Sequence, residues 1–299
     1  MSKPFGDRLS EAMSRLGAAI CDGLDPVLDK LPSELRVLAE RKPEEALIEY
    51  GRGVIAAVAG RAPALKINIA FFEPFQEAGL RAYRELTVAA HCAGLLVIGD
   101  IKRADIGHSS QQYATAHVGA DREDQVDAIT VNPYFGSDGV EPFLETALRH
   151  DRGVFVLVQT SNASASQVQG LTLPDGMTVC QKVAQLVETW AVRAVGTSGY
   201  SSIGAVVSPR DLPSTVLIRG LMPSCVFLVP GFGAQGRTAD EVAKCFKPDG
   251  SGAVVTASRS VIYAYADAKH HAADWRSAIR ASCDEFVATI AALTRTSRG

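Results

Sequence analysis

Eight short apolar runs, each ending in a polar or glycine-rich cluster, constrain the fold of this chain. The runs are AAICDGLDP, ALKINIAF, LLVIGDIK, AITVNPYF, GVFVLVQTSN, IGAVVSP, CVFLVPGFGAQG and GAVVTASR. Longer segments with helical spacing, such as PEEALIEYGRGVIAAVAG and FQEAGLRAYRELTVAAHCAG, lie between them. Nearly continuous apolar strands that alternate with amphipathic helices indicate a parallel sheet covered by helices. We therefore predict one α/β domain over residues 1–299, a closed (β/α)8 TIM barrel, with an open doubly wound sheet as the alternative.

The composition is that of a globular, intracellular protein. Of the 299 residues, 47% are hydrophobic and 21% are charged, which is enough apolar surface for a large core. The formal net charge of -3 comes without long runs of one sign, so we expect neither a nucleic acid nor a membrane as partner. The six scattered cysteines indicate free thiols rather than disulfides or a zinc site. No signal peptide or membrane span is apparent, and we expect a cytoplasmic protein.

One strand ends in an unusual series of charges. In GLLVIGDIKRADIGHSS, Asp100 and Lys102 alternate and should point to the same face, and Asp105 lies just beyond them. Lys66 ends the preceding strand, so a barrel would bring it close to this pair. An exposed ion-pair cluster is the simpler interpretation of such spacing. Because the carboxyl ends of barrel strands form the active site and the other strands also end in polar residues, we favour a functional array.

A glycine-rich loop follows the seventh strand. Gly231, Gly233 and Gly236 form a GxGxxG pattern, which elsewhere marks a dinucleotide site. Here the pattern does not follow the first strand, and the next strand ends in TASRS without the acidic residue that would bind a ribose. Barrels commonly bind phosphate in the loops after strands seven and eight. We therefore predict a phosphate site that includes Gln235 and Arg259, although each could also be an ordinary surface residue.

Five runs together resemble one enzyme family. LKINIAFFE, GDIKRADIG, TVNPYFGSDG, TSN and LVPGFGAQG are similar to motifs of orotidine 5′-phosphate decarboxylases, above all those of the longer bacterial subgroup (type 2). The resemblance extends from FGDRL near the start to the last strand. It implies a cofactor-free lyase without a metal that converts orotidine 5′-monophosphate to UMP and CO2 in pyrimidine biosynthesis. It also implies a homodimer with shared active sites.

The resemblance assigns roles to individual residues. The catalytic array would be Lys66, Asp100, Lys102 and Asp105, with Asp105 entering the site of the other subunit. Decarboxylation leaves electron density on C6 of the pyrimidine, and Lys102 would stabilise and protonate it. Ser161 would contact the pyrimidine edge, Asp25 and Ser109 the ribose, and Gln235 and Arg259 the phosphate. The full set of expected substrate-binding residues is Asp25, Asn68, Ser109, Thr160, Ser161, Asn162, Gln235 and Arg259, together with the glycines at 231, 233 and 236.

Two other functions remain open from the sequence. Hexulose phosphate synthases and ketogulonate phosphate decarboxylases share the Asp-x-Lys-x-x-Asp strand end but use Mg2+, which prefers carboxylate ligands where this chain has Lys66. A barrel that binds a nucleotide without catalysis is the second alternative. Asp22 and the segment Ser208-Pro209-Arg210 depart from the family pattern. The stretch from Thr160 to Tyr200 is long for one connection, and we predict a loop there that acts as a lid before a helix.

Overall fold

Eight parallel strands close into a barrel in which every strand pairs with its neighbours along the chain and the last pairs with the first. The computed structural model describes residues 3–120, 122–210, 212–232, 238–267 and 274–296. The strands are β1 Ile20–Leu24, β2 Ala64–Asn68, β3 Leu96–Arg103, β4 Ala128–Val131, β5 Gly153–Gln159, β6 Ile203–Val207, β7 Phe227–Val229 and β8 Ala253–Ala257. All eight predicted strands and the TIM barrel are confirmed.

Helices cover the outside of this barrel and close one of its ends. They are α1 Phe5–Leu16, α2 Ser33–Ala39, α3 Pro43–Val58, α4 Gln76–Cys92, α5 Gly107–Val118, α6 Ser137–Arg149, α7 Val179–Ala191, α8 Leu212–Leu221, α9 Ala239–Ala243, α10 Arg259–Ile262 and α11 Trp275–Thr296. Among the described residues, no helix is long and apolar enough to cross a membrane. All six cysteines are free thiols, as predicted.

The alternation of side chains along each strand separates two apolar layers. One set points outward and packs under the helices. The other set fills the barrel interior and includes Cys21, Ala64, Ile98, Ala128 and Phe155. The same inward parity continues toward the carboxyl ends of the strands, where it reaches polar residues. The fold thus places the polar strand ends above a packed apolar interior.

Helix α1 closes the amino-terminal end of the barrel. Its Phe5 ring meets Phe155 edge to face at 5.9 Å between ring centroids. The helix lies so close to the strands that a Cβ at Gly153 would be 2.2 Å from the Phe5 ring. Asp7 anchors it further, because the Asp7 carboxylate accepts hydrogen bonds from the backbone of Thr197 and Ser198. Among the described residues, α1 therefore closes the amino-terminal end of the barrel.

The two departures from the family pattern have separate structural accounts. Asp22 on β1 is fully buried in the outward layer, where its Oδ2 lies 3.2 Å from Cys283 Sγ on α11. Ser208 follows β6 and forms two hydrogen bonds with Gln159 of β5, each 2.7 Å long. These bonds join the ends of β5 and β6. Neither departure alters the closure of the barrel.

The long segment between β5 and β6 is partly ordered by its own side chains. It contains a 3-10 helix at Ala163–Gln167 and then the expected helix, α7. Gln169 accepts a hydrogen bond from the Thr160 backbone at 3.0 Å and donates one to the Thr160 hydroxyl at 2.7 Å. These bonds hold the segment against the end of β5. Its action as a lid stays a prediction.

Candidate active site

A cavity of about 240 Å³ opens at the carboxyl ends of the strands. Residues at or just after the carboxyl ends of all eight strands line it, which agrees with the location of active sites in this fold. Its lining is Asp25, Lys66, Asn68, Asp100, Lys102, Thr130, Leu157, Thr160, Ser161, Val206, Leu228, Pro230, Gly231, Phe232, Thr256, Ala257, Ser258 and Arg259. Nine of these were predicted as site residues from the sequence.

The charged residues of β2 and β3 meet on one wall of the cavity. Lys66 Nζ lies 2.8 Å from Asp100 Oδ2, and Lys102 Nζ forms an ion pair with Asp100 Oδ1. Lys66 and Asp100 are buried, whereas 49% of the Lys102 side chain is exposed. The Lys102 ammonium is therefore fixed at one side by a carboxylate and open to the cavity at the other.

The electrostatic balance keeps this cluster ionised. Burial alone would lower the pKa of Lys66, but the nearby carboxylates of Asp100 and Asp25 outweigh it and raise that pKa above its ordinary value. Burial likewise would raise the pKa of Asp100, but Lys66 and Lys102 outweigh it and hold that pKa well below its usual range. A carboxylate between two ammonium groups thus persists near neutral pH.

An irregularity in β3 presents these side chains to the cavity. Gly99 pairs with Ile129 on β4, whereas the next paired position on β3 is Arg103, opposite Val131. The extra residues on β3 form a bulge, and bulges commonly redirect side chains near active sites. Within it, Lys102 has a φ of 44°, in the left-handed region that non-glycine residues seldom occupy. The local backbone therefore departs from a regular strand where the charges are concentrated.

Asp25 and Asn68 extend the polar wall across β1 and β2. Asp25 Oδ1 lies 3.9 Å from Lys66 Nζ and is buried without a hydrogen-bond donor from the described residues. Asn68 lines the cavity and also accepts a hydrogen bond from the backbone of Ala70. Asp25 thus retains acceptor capacity on the cavity side, where a ligand hydroxyl could donate to it.

The far side of the cavity carries the other predicted residues. Thr160 and Ser161 line it after β5, whereas Asn162 is exposed outside the lining and accepts a hydrogen bond from the Thr160 hydroxyl at 2.6 Å. Gly231, with a φ of 101°, and Arg259 at the start of α10 line the end after β7 and β8. Gly233, Gln235 and Gly236 lie outside the described residues.

Asp105 and Ser109 do not line the cavity of their own chain. Asp105 is half-buried and its carboxylate accepts a hydrogen bond from the Ile106 backbone at 2.8 Å, while Ser109 is exposed on α5. Three exposed apolar side chains occur in this loop and in the neighbouring loop after β4: Ile106 at 56%, Tyr134 at 78% and Phe135 at 52% exposure. The predicted array is therefore divided, with Lys66, Asp100 and Lys102 assembled and Asp105 on an adjoining surface.

Sequence reasoning missed several cavity residues. Thr130 is one: its hydroxyl lies between Asp100 and the Lys102 backbone. Thr256 and Ser258 on and after β8 are others. The signal that could have found them is strand parity, because Thr130 stands two residues after the inward Ala128 and Thr256 two after the inward Val254. Small hydroxyl residues in a strand give no charge pattern to draw attention to them.

Comparison with known proteins identifies the same family as the motifs. The family model described as "Orotidine 5'-phosphate decarboxylase / HUMPS family" matches residues 45–274. An orotidine 5′-phosphate decarboxylase of Rhodopirellula baltica is 39% identical, covering 93% of this chain and 96% of that protein. One from Caldicellulosiruptor saccharolyticus is 35% identical, covering 89% and 92%.

A solved structure agrees over the whole chain. The crystal structure of a candidate orotidine 5′-phosphate decarboxylase from Streptomyces avermitilis superimposes with a TM-score of 0.81 at 31% sequence identity, covering 98% of this chain and 97% of that one. The sequence comparison, the fold and the cluster of Lys66, Asp100 and Lys102 thus indicate the same family. The protein belongs to the orotidine 5′-phosphate decarboxylase / HUMPS family.

Proposed function

We propose that this protein decarboxylates orotidine 5′-monophosphate to UMP and CO2 without a metal or organic cofactor, as a step of pyrimidine biosynthesis. The observation that carries the proposal is the Lys66–Asp100–Lys102 cluster on the wall of the cavity, with Lys102 directed to open space. Its relatives named orotidine 5′-phosphate decarboxylase support the same substrate. Membership of the longer bacterial subgroup stays part of the proposal.

The chemical step needs a fixed positive charge. When the bond between C6 and the carboxyl carbon breaks, CO2 leaves and the electron pair remains on C6 of the pyrimidine. An ammonium held beside C6 stabilises that pair, because a fixed charge in a partly buried site needs no reorganisation as the reaction proceeds. Lys102 then donates a proton to C6, giving UMP, and its neutral amine regains a proton from water at the exposed side of the cavity.

The neighbouring residues would position Lys102 and the substrate. Lys66 keeps Asp100 ionised, and Asp100 holds the Lys102 ammonium and crowds the substrate carboxylate. Asp25 has a free acceptor for a ribose hydroxyl, and Ser161 lies where it can read the pyrimidine edge. Arg259 and the Gly231 backbone would bind the 5′-phosphate together with Gln235. The ends of the cavity then match the two ends of a nucleotide.

The magnesium-dependent chemistry of the sister enzymes fits this wall poorly. Mg2+ takes hard oxygen ligands, and the Asp100 oxygens here already accept hydrogen bonds from two ammonium groups and a hydroxyl. The buried Lys66 charge would also repel a divalent cation at that position. These observations favour the orotidine monophosphate reaction over the alternative.

We also propose that the enzyme is a homodimer whose subunits exchange Asp105 and Ser109. Ile106, Tyr134 and Phe135 give the loops around Asp105 an exposed apolar surface, and such surfaces often bind a protein partner. A second copy seated there would bring its Asp105 toward the open side of Lys102. It would complete the array of four charges that the motif predicts.

Release of CO2 from orotidine 5′-monophosphate by the purified protein tests the proposed activity. We expect turnover that is unchanged after treatment with EDTA, because no step uses a metal. Loss of turnover on EDTA treatment and recovery with Mg2+ would contradict the proposed metal-free chemistry. Binding of UMP in calorimetry without any turnover would favour a non-catalytic nucleotide-binding barrel.

A further inference from the structure

Thr130 connects the two central charges of the active site. It lies on β4, is 1% exposed and faces the cavity. Its hydroxyl donates a hydrogen bond to Asp100 Oδ1 at 3.0 Å and accepts one from the Lys102 backbone N–H, also at 3.0 Å. A single hydroxyl thus bridges the carboxylate that holds the Lys102 ammonium and the main chain from which Lys102 extends.

The bridge occurs where β3 is irregular. The bulge removes Lys102 from the regular ladder between β3 and β4, and its φ of 44° is uncommon for a residue with a side chain. The Lys102 N–H therefore takes a side-chain acceptor on β4 in place of a backbone carbonyl. Without that acceptor, the donor would be unpaired beside the reacting end of the cavity.

Asp100 depends on the same hydroxyl for its orientation. Its Oδ2 accepts from Lys66 at 2.8 Å, and its Oδ1 is shared by Lys102 and Thr130. The Thr130 bond to Oδ1 helps to fix the plane of the carboxylate. The Lys102 side chain constrains the carboxylate less, because it is long and half-exposed. A rotated carboxylate would draw the Lys102 ammonium with it.

We propose that Thr130 is a positioning residue for decarboxylation, whose hydroxyl locks the Asp100 carboxylate and the Lys102 main chain into one geometry. This inference rests on the proposed function of the site. Thr130 does not itself exchange a proton with the substrate. Its contribution is to the chemical step and not to binding of the phosphate or ribose, because those contacts lie on other strands.

The test compares variants that keep or lose the hydroxyl. Thr130→Val retains the shape and removes the hydroxyl, and we expect kcat to fall about 100-fold, since small misplacements of reacting groups have effects of this size. We expect KM and the Kd of UMP to stay within about threefold of wild type. Thr130→Ser restores the hydroxyl and should recover kcat to within about tenfold of wild type. Thr87→Val, which removes a buried hydroxyl on α4, should leave kcat unchanged.

Several outcomes would overturn this role. They are an unchanged kcat in Thr130→Val, a loss of UMP binding that parallels the loss of kcat, or a Thr130→Ser variant as inactive as Thr130→Val. If Thr130→Val fails to fold in circular dichroism, Thr130→Ala takes its place, and the proposal then requires an active serine and an impaired alanine variant. A wild-type protein that does not turn over orotidine 5′-monophosphate defeats the proposed function, whereas an active wild type with a fully active Thr130→Val defeats the Thr130 role alone.

Discussion

Asp100 shows how one buried carboxylate can organise a site. It is 7% exposed and accepts hydrogen bonds from Lys66, Lys102 and Thr130. Burying a charge costs several kcal/mol unless partners compensate, so such a carboxylate is stable only within a nearly complete set of donors. Removal of one donor to Asp100 should therefore disturb the remaining donors more than removal of one partner disturbs an exposed ion pair.

The buried Asp22 makes the stability of the protein depend on pH. Burial raises the pKa of Asp22 to about 7, against an ordinary value of 3.8, although the Cys283 thiol donates to its carboxyl. A raised pKa means that the folded state binds a proton more tightly than the unfolded state does. The resulting stabilisation is complete below the ordinary pKa and is lost as the pH rises to about 7.

We predict that Asp22→Asn removes this pH dependence. Relative to the variant, the free energy of unfolding of the wild type should decline between about pH 4 and pH 7, by up to about 4 kcal/mol. Urea denaturation at a series of pH values measures it. Cys283→Ala, which removes the donor, should extend the decline to higher pH. Parallel curves for wild type and Asp22→Asn would contradict the account.

Some residues of the active-site cavity could be predicted from the sequence and others could not, and the difference has physical reasons. Lys66, Asp100 and Lys102 could be predicted because charges at the ends of apolar strands are conspicuous and parity assigns them to one face. Parity could have placed Thr130 in the cavity, but its bond to the Lys102 backbone could not be predicted, since that bond depends on a bulge that shifts the register of β3 against β4. The placement of Asp105 in the site of a second subunit came from the resemblance alone, and its own chain does not bring it into the cavity.

Helix α1 and the strands are joined at the closed end of the barrel by one acidic residue. Asp127 precedes β4, is 2% exposed and lies within 3.0 Å of Arg8 of α1 and Arg152 before β5. His91 of α4 lies 2.9 Å from its other oxygen. Burial would raise the pKa of Asp127, but His91 and Arg8 outweigh it and hold that pKa below its usual range.

We predict that Asp127→Ala lowers the free energy of unfolding by about 3 kcal/mol, because it leaves the partly buried Arg8 and Arg152 without their counter-charge. Asp124→Ala, which breaks an exposed ion pair with Arg122, is the matched control and should cost less than about 1 kcal/mol. Urea denaturation followed by circular dichroism compares the two. Equal losses in both variants would show that the closed end is not stabilised as described.

The wild type should also lose the stabilisation that Asp127 contributes as the pH falls below about 4, since a depressed pKa means that only the ionised carboxylate stabilises the folded state.

The order of elements was predictable, but the arrangement of the closed end was not. Apolar strands alternating with amphipathic helices gave the eight-stranded barrel directly, and α3 and α4 lie where their spacing predicts. The docking of α1 was not anticipated. It depends on contacts of Phe5 with Phe155 and of Asp7 with Ser198, the second pair 191 residues apart in sequence, and local periodicity carries no information on such contacts.

The assembly proposed here places one of the four charges of the array, Asp105, in a second copy of the chain. If sites are shared, a dimer of one Asp105→Ala subunit and one Lys102→Ala subunit contains one intact site and one site with both defects. We predict that mixing and refolding the two inactive variants in equal amounts recovers about a quarter of wild-type activity, as random pairing into symmetric dimers requires. Each variant refolded alone is the control. No recovery in mixtures shown to contain mixed dimers would mean that each chain uses its own Asp105.

The rate of CO2 release from orotidine 5′-monophosphate by Lys102→Ala, compared with wild type, is the most direct test of the catalytic mechanism. We predict a loss of many orders of magnitude with an unchanged circular dichroism spectrum, because Lys66, the other ammonium bound to Asp100, is only 10% exposed whereas Lys102 is open to the cavity. Lys182→Ala, which alters an exposed lysine on α7, should keep full activity. A Lys102→Ala enzyme with turnover near that of the wild type would contradict the mechanism.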